Sequence, residues 1–429
     1  MLRCGVAEDL RGAQADDYLF PDYGGYCFAG VPATALSLLG ADDVVTDRDV
    51  EPLPGDVFDG VDTDVEVVVH ALVDGYGFEQ YRRDRGDYAL LDRLAERGTV
   101  TPLTSIYPSE TAAAITTTHT GALPSSHGLL GWEQYVEPAG EVLATLPFET
   151  VDGEPAGEVH GLGPEVLFEG DSLYAALDDA PVDATSVVPE GQLESPYSTV
   201  AQADLAGEEY ADVGEVPEAL RRAVEGADGP TYVYAYFPQV DHAAHLAGTE
   251  SDEYHDALGD VLAAIEAGLV ESLGADTAEE TLLMLTADHG EFDTPGATGN
   301  VDLRADRFDP LWESLRRAPD GDPIPPVGGP RNVQLHVREG EVAAVRELLR
   351  AELDAMVLDR ATALDRNLFG PAGPSDLFRE RLGDLVVIPR DRSVWHQDSA
   401  LEYVGMHGGL HPDEMLVPFG ASRVDRLQG

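Results

Sequence analysis

Short apolar stretches alternate with segments of helical periodicity along most of the chain. Apolar runs bounded by turn residues predict strands at 65–73, 100–106, 231–237, 281–286, 332–337 and 384–388. Apolar positions at helical spacing predict helices at 78–97, 258–269 and 342–358. This alternation favours an α/β fold in which helices cover both faces of a mostly parallel sheet.

Residues 133–215 interrupt this rhythm. The segment is acidic, rich in Gly and Pro, and only weakly periodic. We therefore predict a single α/β domain over residues 1–429, with 133–215 as an insertion or cap over the active site.

Polar residues follow several predicted strands at their carboxyl ends. Asp74, Asp241 and Asp288 each come shortly after a strand, and Thr111 opens a threonine-rich helix after the strand at 100–106. Parallel sheets bind ligands at this edge. An isolated Asp or Thr at such a position is commonly a helix cap. Four such residues at one edge instead predict a site.

Histidines accompany these carboxylates. His245 follows Asp241 by one helical turn, His289 adjoins Asp288, and His407 lies in the Gly-Met-His-Gly-Gly sequence of 405–409. Mixed nitrogen and oxygen ligands suit Zn²⁺, and the share of carboxylates also allows Mn²⁺. His411 is an alternative to His407 as the last ligand.

The charge balance is extreme: 81 acidic against 26 basic residues give a net charge of −55, and every basic residue is Arg. Acidic residues at this density repel one another, and molar salt screens most of that repulsion. The composition therefore resembles that of proteins from salt-in halophiles. It also argues against binding to nucleic-acid polymers or anionic membranes, which require basic patches.

The two cysteines and the amino-terminal residues bear on location. Cys4 and Cys27 do not form a disulfide framework, and the first 20 residues lack the apolar core of a secretory signal. No apolar run is long enough to span a bilayer. We expect a cytoplasmic protein that acts on a small molecule.

The order of these motifs resembles the alkaline phosphatase superfamily, and within it the type I phosphodiesterase/nucleotide pyrophosphatase family. The resemblance rests on Tyr-Pro-Ser-Glu-Thr at 107–111, on Thr-Gly-x-x-Pro-x-x-His-Gly at 120–128, and on the Asp and His positions above, and it covers nearly the whole chain. It implies an alkaline-phosphatase-like three-layer sandwich and hydrolysis of phosphate esters.

The resemblance also implies two metal sites and a nucleophile. One metal ion would be held by Asp241, His245 and His407, and the other by Asp74, Asp288, His289 and the oxygen of Thr111. Thr111 matches the nucleophile of the family. Two ions about 4 Å apart can clamp the attacking and leaving oxygens of a phosphoryl displacement.

One position departs from the family pattern. Nucleotide pyrophosphatases place an Asn shortly after the His-Gly pair, where this chain has Trp132. Trp132 could stack on a base or leaving group, or pack the cap onto the sheet, as large aromatic side chains commonly do. The alternatives to a diesterase are a phosphomonoesterase, a phosphotransferase or mutase, and a non-catalytic metal-stabilised binding protein. A sulfatase is disfavoured because Thr111 cannot become formylglycine.

Overall fold

The computed structural model describes residues 1–12 and 18–429. For residues 178 and 179 it describes only the backbone. Its strands form two larger sheets and two small ribbons. In chain order they are β1 Val67–Val73, β2 Thr99–Thr104, β3 Glu133–Val136, β4 Glu141–Ala144, β5 Glu149–Thr150, β6 Asp183–Pro189, β7 Ala206–Tyr210, β8 Thr231–Phe237, β9 Thr281–Thr286, β10 Phe292–Asp293, β11 Val301–Asp302, β12 Val327–Gly329, β13 Asn332–Leu335, β14 Ala355–Asp359, β15 Leu385–Pro389, β16 Val394–Trp395, β17 Gly405–Met406 and β18 Leu416–Arg423.

Helices connect these strands. The longer ones are Cys4–Gly12, Gly30–Leu38, Phe78–Asp84, Ala89–Arg97, Thr111–Thr120, Val216–Glu225, Gln239–Ala247, Asp252–Ile265, Asp309–Ser314, Val342–Glu352, Arg360–Asp365 and Asp376–Arg381. Among the described residues, no helix is both long and apolar enough to cross a membrane.

The central sheet has the order β2-β18-β9-β1-β8-β6-β7. Its strands are parallel except for β18, which runs antiparallel to both β2 and β9. Every residue of β1, β8 and β9 is buried. Because successive side chains of a strand point to opposite faces, burial at every position means that both faces are covered. The predicted α/β class is confirmed.

The second sheet is antiparallel and has the order β14-β15-β13-β12-β3-β4-β5. Residues 133–215 contribute to both sheets, because β3, β4 and β5 lie at one edge of the second sheet while β6 and β7 lie at one edge of the central sheet. Sequence periodicity did not identify these strands. A role of this segment as a cap stays a prediction.

Two predicted helices are wrong in extent. The helix predicted over 78–97 is interrupted at Arg85–Asp87, and Tyr88 is extended. Gly86 weakens helix propensity at this break. The helix predicted over 342–358 ends at Glu352, because β14 pairs with β15. Pairing with a distant strand overrides local periodicity there.

Candidate functional site

Three carboxylates meet at the carboxyl edge of the central sheet. Strand β1 lies between β8 and β9, with Val73 opposite Phe237 and Leu72 opposite Thr286. Asp74 directly follows β1, Asp288 comes two residues after β9, and Asp241 lies in the first turn of the helix after β8. The parallel register therefore brings together residues that are far apart in the chain.

Three imidazoles face these carboxylates. The Nε2 atom of His289 lies 3.3 Å from Oδ1 of Asp74 and 3.5 Å from Oδ2 of Asp288. The Oδ1 atom of Asp241 lies 3.4 Å from Nε2 of His245 and 3.5 Å from Nε2 of His407. The rings of His289 and His407 are stacked with centroids 3.6 Å apart. The structure thus brings all six of these predicted residues together.

The backbone orients each imidazole. The Nδ1 atom of His245 lies 2.7 Å from the carbonyl oxygen of Gly405. The Nδ1 atom of His407 lies 3.1 Å from the carbonyl oxygen of Ser109, and that of His289 lies 3.2 Å from the carbonyl oxygen of Gly290. A carbonyl only accepts, so Nδ1 carries the proton and donates. Nε2 is then the ring nitrogen that faces the carboxylate oxygens. Metal-binding histidines are held in this way.

The side chains fall into two groups that could each hold a cation. Within each group one ligand atom per residue lies within 4.8 Å of the others: Asp241, His245, Glu291 and His407 form one group, and Asp74, Asp241 and His289 form the other. Asp241 therefore lies within reach of both positions, and Asp288 borders the second. Glu291 was not predicted as a site residue, although it is the next acid after Asp288 in Asp-His-Gly-Glu.

The polar atoms of the two groups fit divalent ions. Among the described residues, Oδ1 of Asp74, Oδ1 of Asp241 and both carboxylate oxygens of Asp288 and Glu291 are buried without a hydrogen-bond donor. Buried acceptors facing other acceptors are costly unless a cation or a shared proton lies between them. Carboxylate oxygen and imidazole nitrogen are ligands for Zn²⁺ and Mn²⁺.

The electrostatics show the same crowding of negative charge. Burial, and then the charges of Asp288 and Asp241, raise the pKa of Asp74 well above its usual value. Burial, and then the charge of Asp241, also raise the pKa of Glu291 well above its usual value. Burial opposes ionisation of Asp241 as well, but His245, His407 and His289 hold its pKa below the usual range. A bound cation would favour the ionised form of all these carboxyls.

Thr111 is the first residue of the Thr111–Thr120 helix. Its Oγ1 lies 3.1 Å from Nε2 of His289. The helix is capped by Glu110 without a side-chain hydrogen bond, so the N–H groups of the first turn are available to an anion. A hydroxyl, a set of metal-ligating atoms and an anion-binding helix end therefore meet at one point.

A cavity of about 300 Å³ opens from this point. Thr111, Asp241, His245 and His407 form one part of its wall, and the remainder includes Glu110, Trp132, Glu133, Trp395, Gln397 and Tyr403. Trp132 is 48% exposed, so its ring is not packed in the core. Its backbone N–H donates to Oε2 of Glu110 at 2.9 Å. Burial raises the pKa of Glu110 to about 8.

Three other histidines, His411, His127 and His119, have different partners. His411 belongs to neither group; its Nδ1 accepts from the backbone N–H of Asp413 at 3.2 Å. His127 is buried against Thr117, with Nε2 3.2 Å from Oγ1. His119 is likewise buried, with its Nδ1 2.8 Å from the hydroxyl of Tyr174.

Solved structures of similar fold include several phosphoester enzymes. Murine ectonucleotide pyrophosphatase/phosphodiesterase 5 superposes with a TM-score of 0.62 at 13% identity, covering 83% of this chain and 88% of that one. An inactive threonine-to-alanine variant of the murine protein in complex with AMP gives a TM-score of 0.61, again at 13% identity with coverages of 83% and 88%.

Two further structures extend the likeness. Phosphonoacetate hydrolase from Sinorhizobium meliloti, in complex with phosphonoformate, gives a TM-score of 0.57 at 18% identity, with 85% of this chain and 95% of that chain covered. The alkaline phosphatase PafA gives 0.58 at 13% identity, with coverages of 84% and 91%. At these identities the likeness establishes the fold, and the predicted alkaline-phosphatase-like architecture is confirmed.

A comparison with sequence profiles of protein families identifies the family of this chain. No curated protein sequence matches the chain. The profile of type I phosphodiesterases/nucleotide pyrophosphatases matches residues 68–410, which include all the strand-end residues of the site. The chain belongs to the type I phosphodiesterase/nucleotide pyrophosphatase family and is a phosphoric ester hydrolase with the alkaline phosphatase fold.

Proposed function

We propose that the chain hydrolyses phosphate diesters with Thr111 as the nucleophile and two divalent metal ions, Zn²⁺ or Mn²⁺, as cofactors. The observation that carries this proposal is the position of the Thr111 hydroxyl, at a helix N-terminus and 3.1 Å from an imidazole of the carboxylate–histidine cluster.

Each ion has its own set of residues in this proposal. Asp241, His245 and His407 would hold one ion, and Asp74, Asp288, His289 and Thr111 would hold the other. When bound, the ions would depress the pKa of the threonine hydroxyl, activate water and neutralise charge on the phosphoryl oxygens.

The covalent steps fall to Thr111. Its Oγ loses the hydroxyl proton and attacks phosphorus, and the bond from phosphorus to the leaving oxygen breaks as that oxygen takes up a proton. Attack by water on the phosphothreonine then breaks the bond to Oγ, which regains its proton. First-turn N–H groups of the Thr111–Thr120 helix bind the developing negative charge.

The wall of the cavity supports a diester of low charge as the substrate. Among the described residues that line it, none is an arginine, whereas Glu110 and Glu133 both contribute. A monoester dianion would receive no side-chain cation there, while a diester carries one negative charge and a second ester group. The exposed ring of Trp132 could stack on a planar leaving group. The murine relative in complex with AMP supports a nucleotide-like group.

The composition supports a cytoplasmic location in a salt-rich cell. A net charge of −55 needs screening, and Cys4 and Cys27 are both free thiols.

The proposal is tested with bis-p-nitrophenyl phosphate and p-nitrophenyl phosphate, in molar KCl with added Zn²⁺ or Mn²⁺. We expect faster turnover of the diester, and loss of at least about 10³-fold in kcat for Thr111→Ala, since the covalent route is removed. Thr118→Ala is the matched control, because the Thr118 hydroxyl donates to the carbonyl oxygen of Ala114 within the same helix.

Contrary results separate the alternatives. Faster turnover of the monoester would identify a phosphomonoesterase. Turnover that survives Thr111→Ala would reject the nucleophile, and metal binding without turnover of either ester would identify a non-catalytic binding protein.

A further inference from the structure

Glu291 is placed beside His407 by a two-stranded ribbon. Strand β10 pairs antiparallel with β17, with Phe292 opposite Met406 and Asp293 opposite Gly405. Continuing this register by one position brings Glu291 opposite His407. Gly405 of the same ribbon accepts from Nδ1 of His245. The ribbon therefore links Glu291 to two of the histidines that surround Asp241.

The backbone around Glu291 is held in close contact with its neighbours. Its carbonyl accepts from Nε2 of Gln80 at 2.8 Å. A Cβ atom on the preceding Gly290 would lie 2.1 Å from the carbonyl oxygen of Asp413, so only glycine fits. On the opposite side, a Cβ on Gly75 would lie 3.0 Å from Cα of Asp241 and 3.3 Å from Oε1 of Glu291. Gly75 therefore lies close to both Asp241 and the Glu291 carboxylate.

The Glu291 carboxylate has no donor to satisfy it. The residue is 1% exposed, and neither oxygen has a hydrogen-bond partner among the described residues. One of its oxygens lies within 4.8 Å of ligand atoms of Asp241, His245 and His407. Two carboxylates and two imidazoles whose ligand atoms meet around the buried Glu291 have the composition of a cation site.

We infer that Glu291 is a fourth protein ligand of the ion held by Asp241, His245 and His407. The inference rests on the proposed two-metal site and deepens it. Four protein ligands complete the tetrahedral shell of Zn²⁺ and leave no position for water or substrate. An octahedral ion keeps two positions open, and a second carboxylate suits the harder Mn²⁺.

If Glu291 only oriented Asp241 and did not bind the ion, the expected result would differ. In that role a protonated carboxyl would donate to Asp241 and hold it toward the ion. The amide of Gln has the same shape and can donate the same hydrogen bond. It lacks the negative charge that a carboxylate ligand contributes. Glu291→Gln therefore separates a ligand from a hydrogen-bond donor.

The experiment measures metal binding directly, by competition with a chromophoric chelator and by the Mn²⁺ EPR spectrum, on the full chain in molar KCl. We expect wild type to bind two Mn²⁺ ions, and Glu291→Gln to bind one of them at least about 100-fold more weakly. This loss of affinity would be larger than the one expected when a group that only orients a ligand is removed.

Glu133→Gln is the matched control, because Glu133 lines the same cavity and belongs to neither cation group. Unchanged Mn²⁺ affinity and EPR spectrum in Glu291→Gln would overturn the inference and leave the proposed function intact. Failure of wild type to bind any metal would reject the proposed function as well.

A second measurement does not depend on folding of the variant. Wild-type crystals soaked in Mn²⁺ should show, at the manganese absorption edge, an anomalous peak bonded to a Glu291 carboxylate oxygen. A peak bonded to Asp241, His245 and His407 but not to Glu291 would equally overturn the inference.

Discussion

At the scale of single residues, the site depends on hydrogen bonds between its side chains and groups that do not enter it. Each Nδ1 that faces a carbonyl directs an imidazole nitrogen toward the carboxylates. Arg331 and Glu414 provide a further support, because they form an ion pair of 2.5 Å in which both side chains are fully buried. Glu414 also accepts from the N–H of Gly409 at 2.6 Å, and the Arg331 guanidinium lies over the ring of Phe292.

Removing one member of this pair leaves an uncompensated buried charge. We expect Arg331→Met to lower the free energy of unfolding by about 3–5 kcal/mol, measured by urea titration in molar KCl. Arg222→Met is the control, because Arg222 pairs with Glu208 at an exposed position where ion pairs contribute little. Equal stability of the two variants would show that the buried pair is not a structural support.

At the scale of elements, the site is assembled by the β10–β17 ribbon against the Gln239–Ala247 helix. The N–H of Val404 donates to the carbonyl oxygen of His245 at 2.9 Å, and the next residue, Gly405, touches the same helix. A Cβ atom on Gly405 would lie 2.6 Å from the carbonyl oxygen of Ala244. Helix and ribbon can approach this closely only because residue 405 has no side chain.

Gly405→Ala should push the ribbon away from the helix. We expect a loss of about 1–3 kcal/mol in the free energy of unfolding, together with weaker metal binding, because the contact between His245 and the Gly405 carbonyl would lengthen. Unfolding and metal titrations on the same sample measure both effects. Gly86→Ala is the control, since a Cβ atom there meets no atom within 4 Å. A Gly405→Ala variant that behaves like Gly86→Ala would contradict the close approach.

At the scale of the whole molecule, charge is the dominant feature. The net charge of −55 is spread over a folded chain with two larger sheets, and several of the carboxylates lie close together in the site. The electrostatic screening length falls from about 10 Å at 0.1 M salt to about 3 Å at 1 M. Salt therefore weakens the repulsion between the acidic side chains, which dilute buffer leaves in place.

The melting temperature should therefore rise with KCl. Each kcal/mol of relieved repulsion raises the Tm of a chain of this size by roughly 1 °C, and we expect a rise of at least ~5 °C between 0.1 and 2 M KCl. Calorimetry at a series of salt concentrations measures the effect, with a neutral solute at equal osmolality as the control. A melting temperature that stays constant or falls with KCl would contradict the role of charge repulsion.

Some elements were predictable because their signals are local. Strands β8 and β9 occur at the predicted residues, 231–237 and 281–286, since each is a continuous apolar run between turn residues. The strand β14 was missed because it depends on pairing with β15, and the break at Arg85–Asp87 was missed although Gly86 lies within it. The same limitation hid β6 and β7, which lie in a segment without clear periodicity.

The sequence by itself determined the family, the α/β class and the residues to consider, because motif spacing and strand-end polar residues are properties of short segments. The tertiary structure decided which of those residues meet. Parallel register places Asp74 between the ends of β8 and β9, and the ribbon register places Glu291 opposite His407. Neither pairing is visible in the sequence, because the partners are more than 100 residues apart and are brought together by hydrogen bonding between strands. The exposure of Trp132 was likewise decided by packing, which a local pattern does not encode.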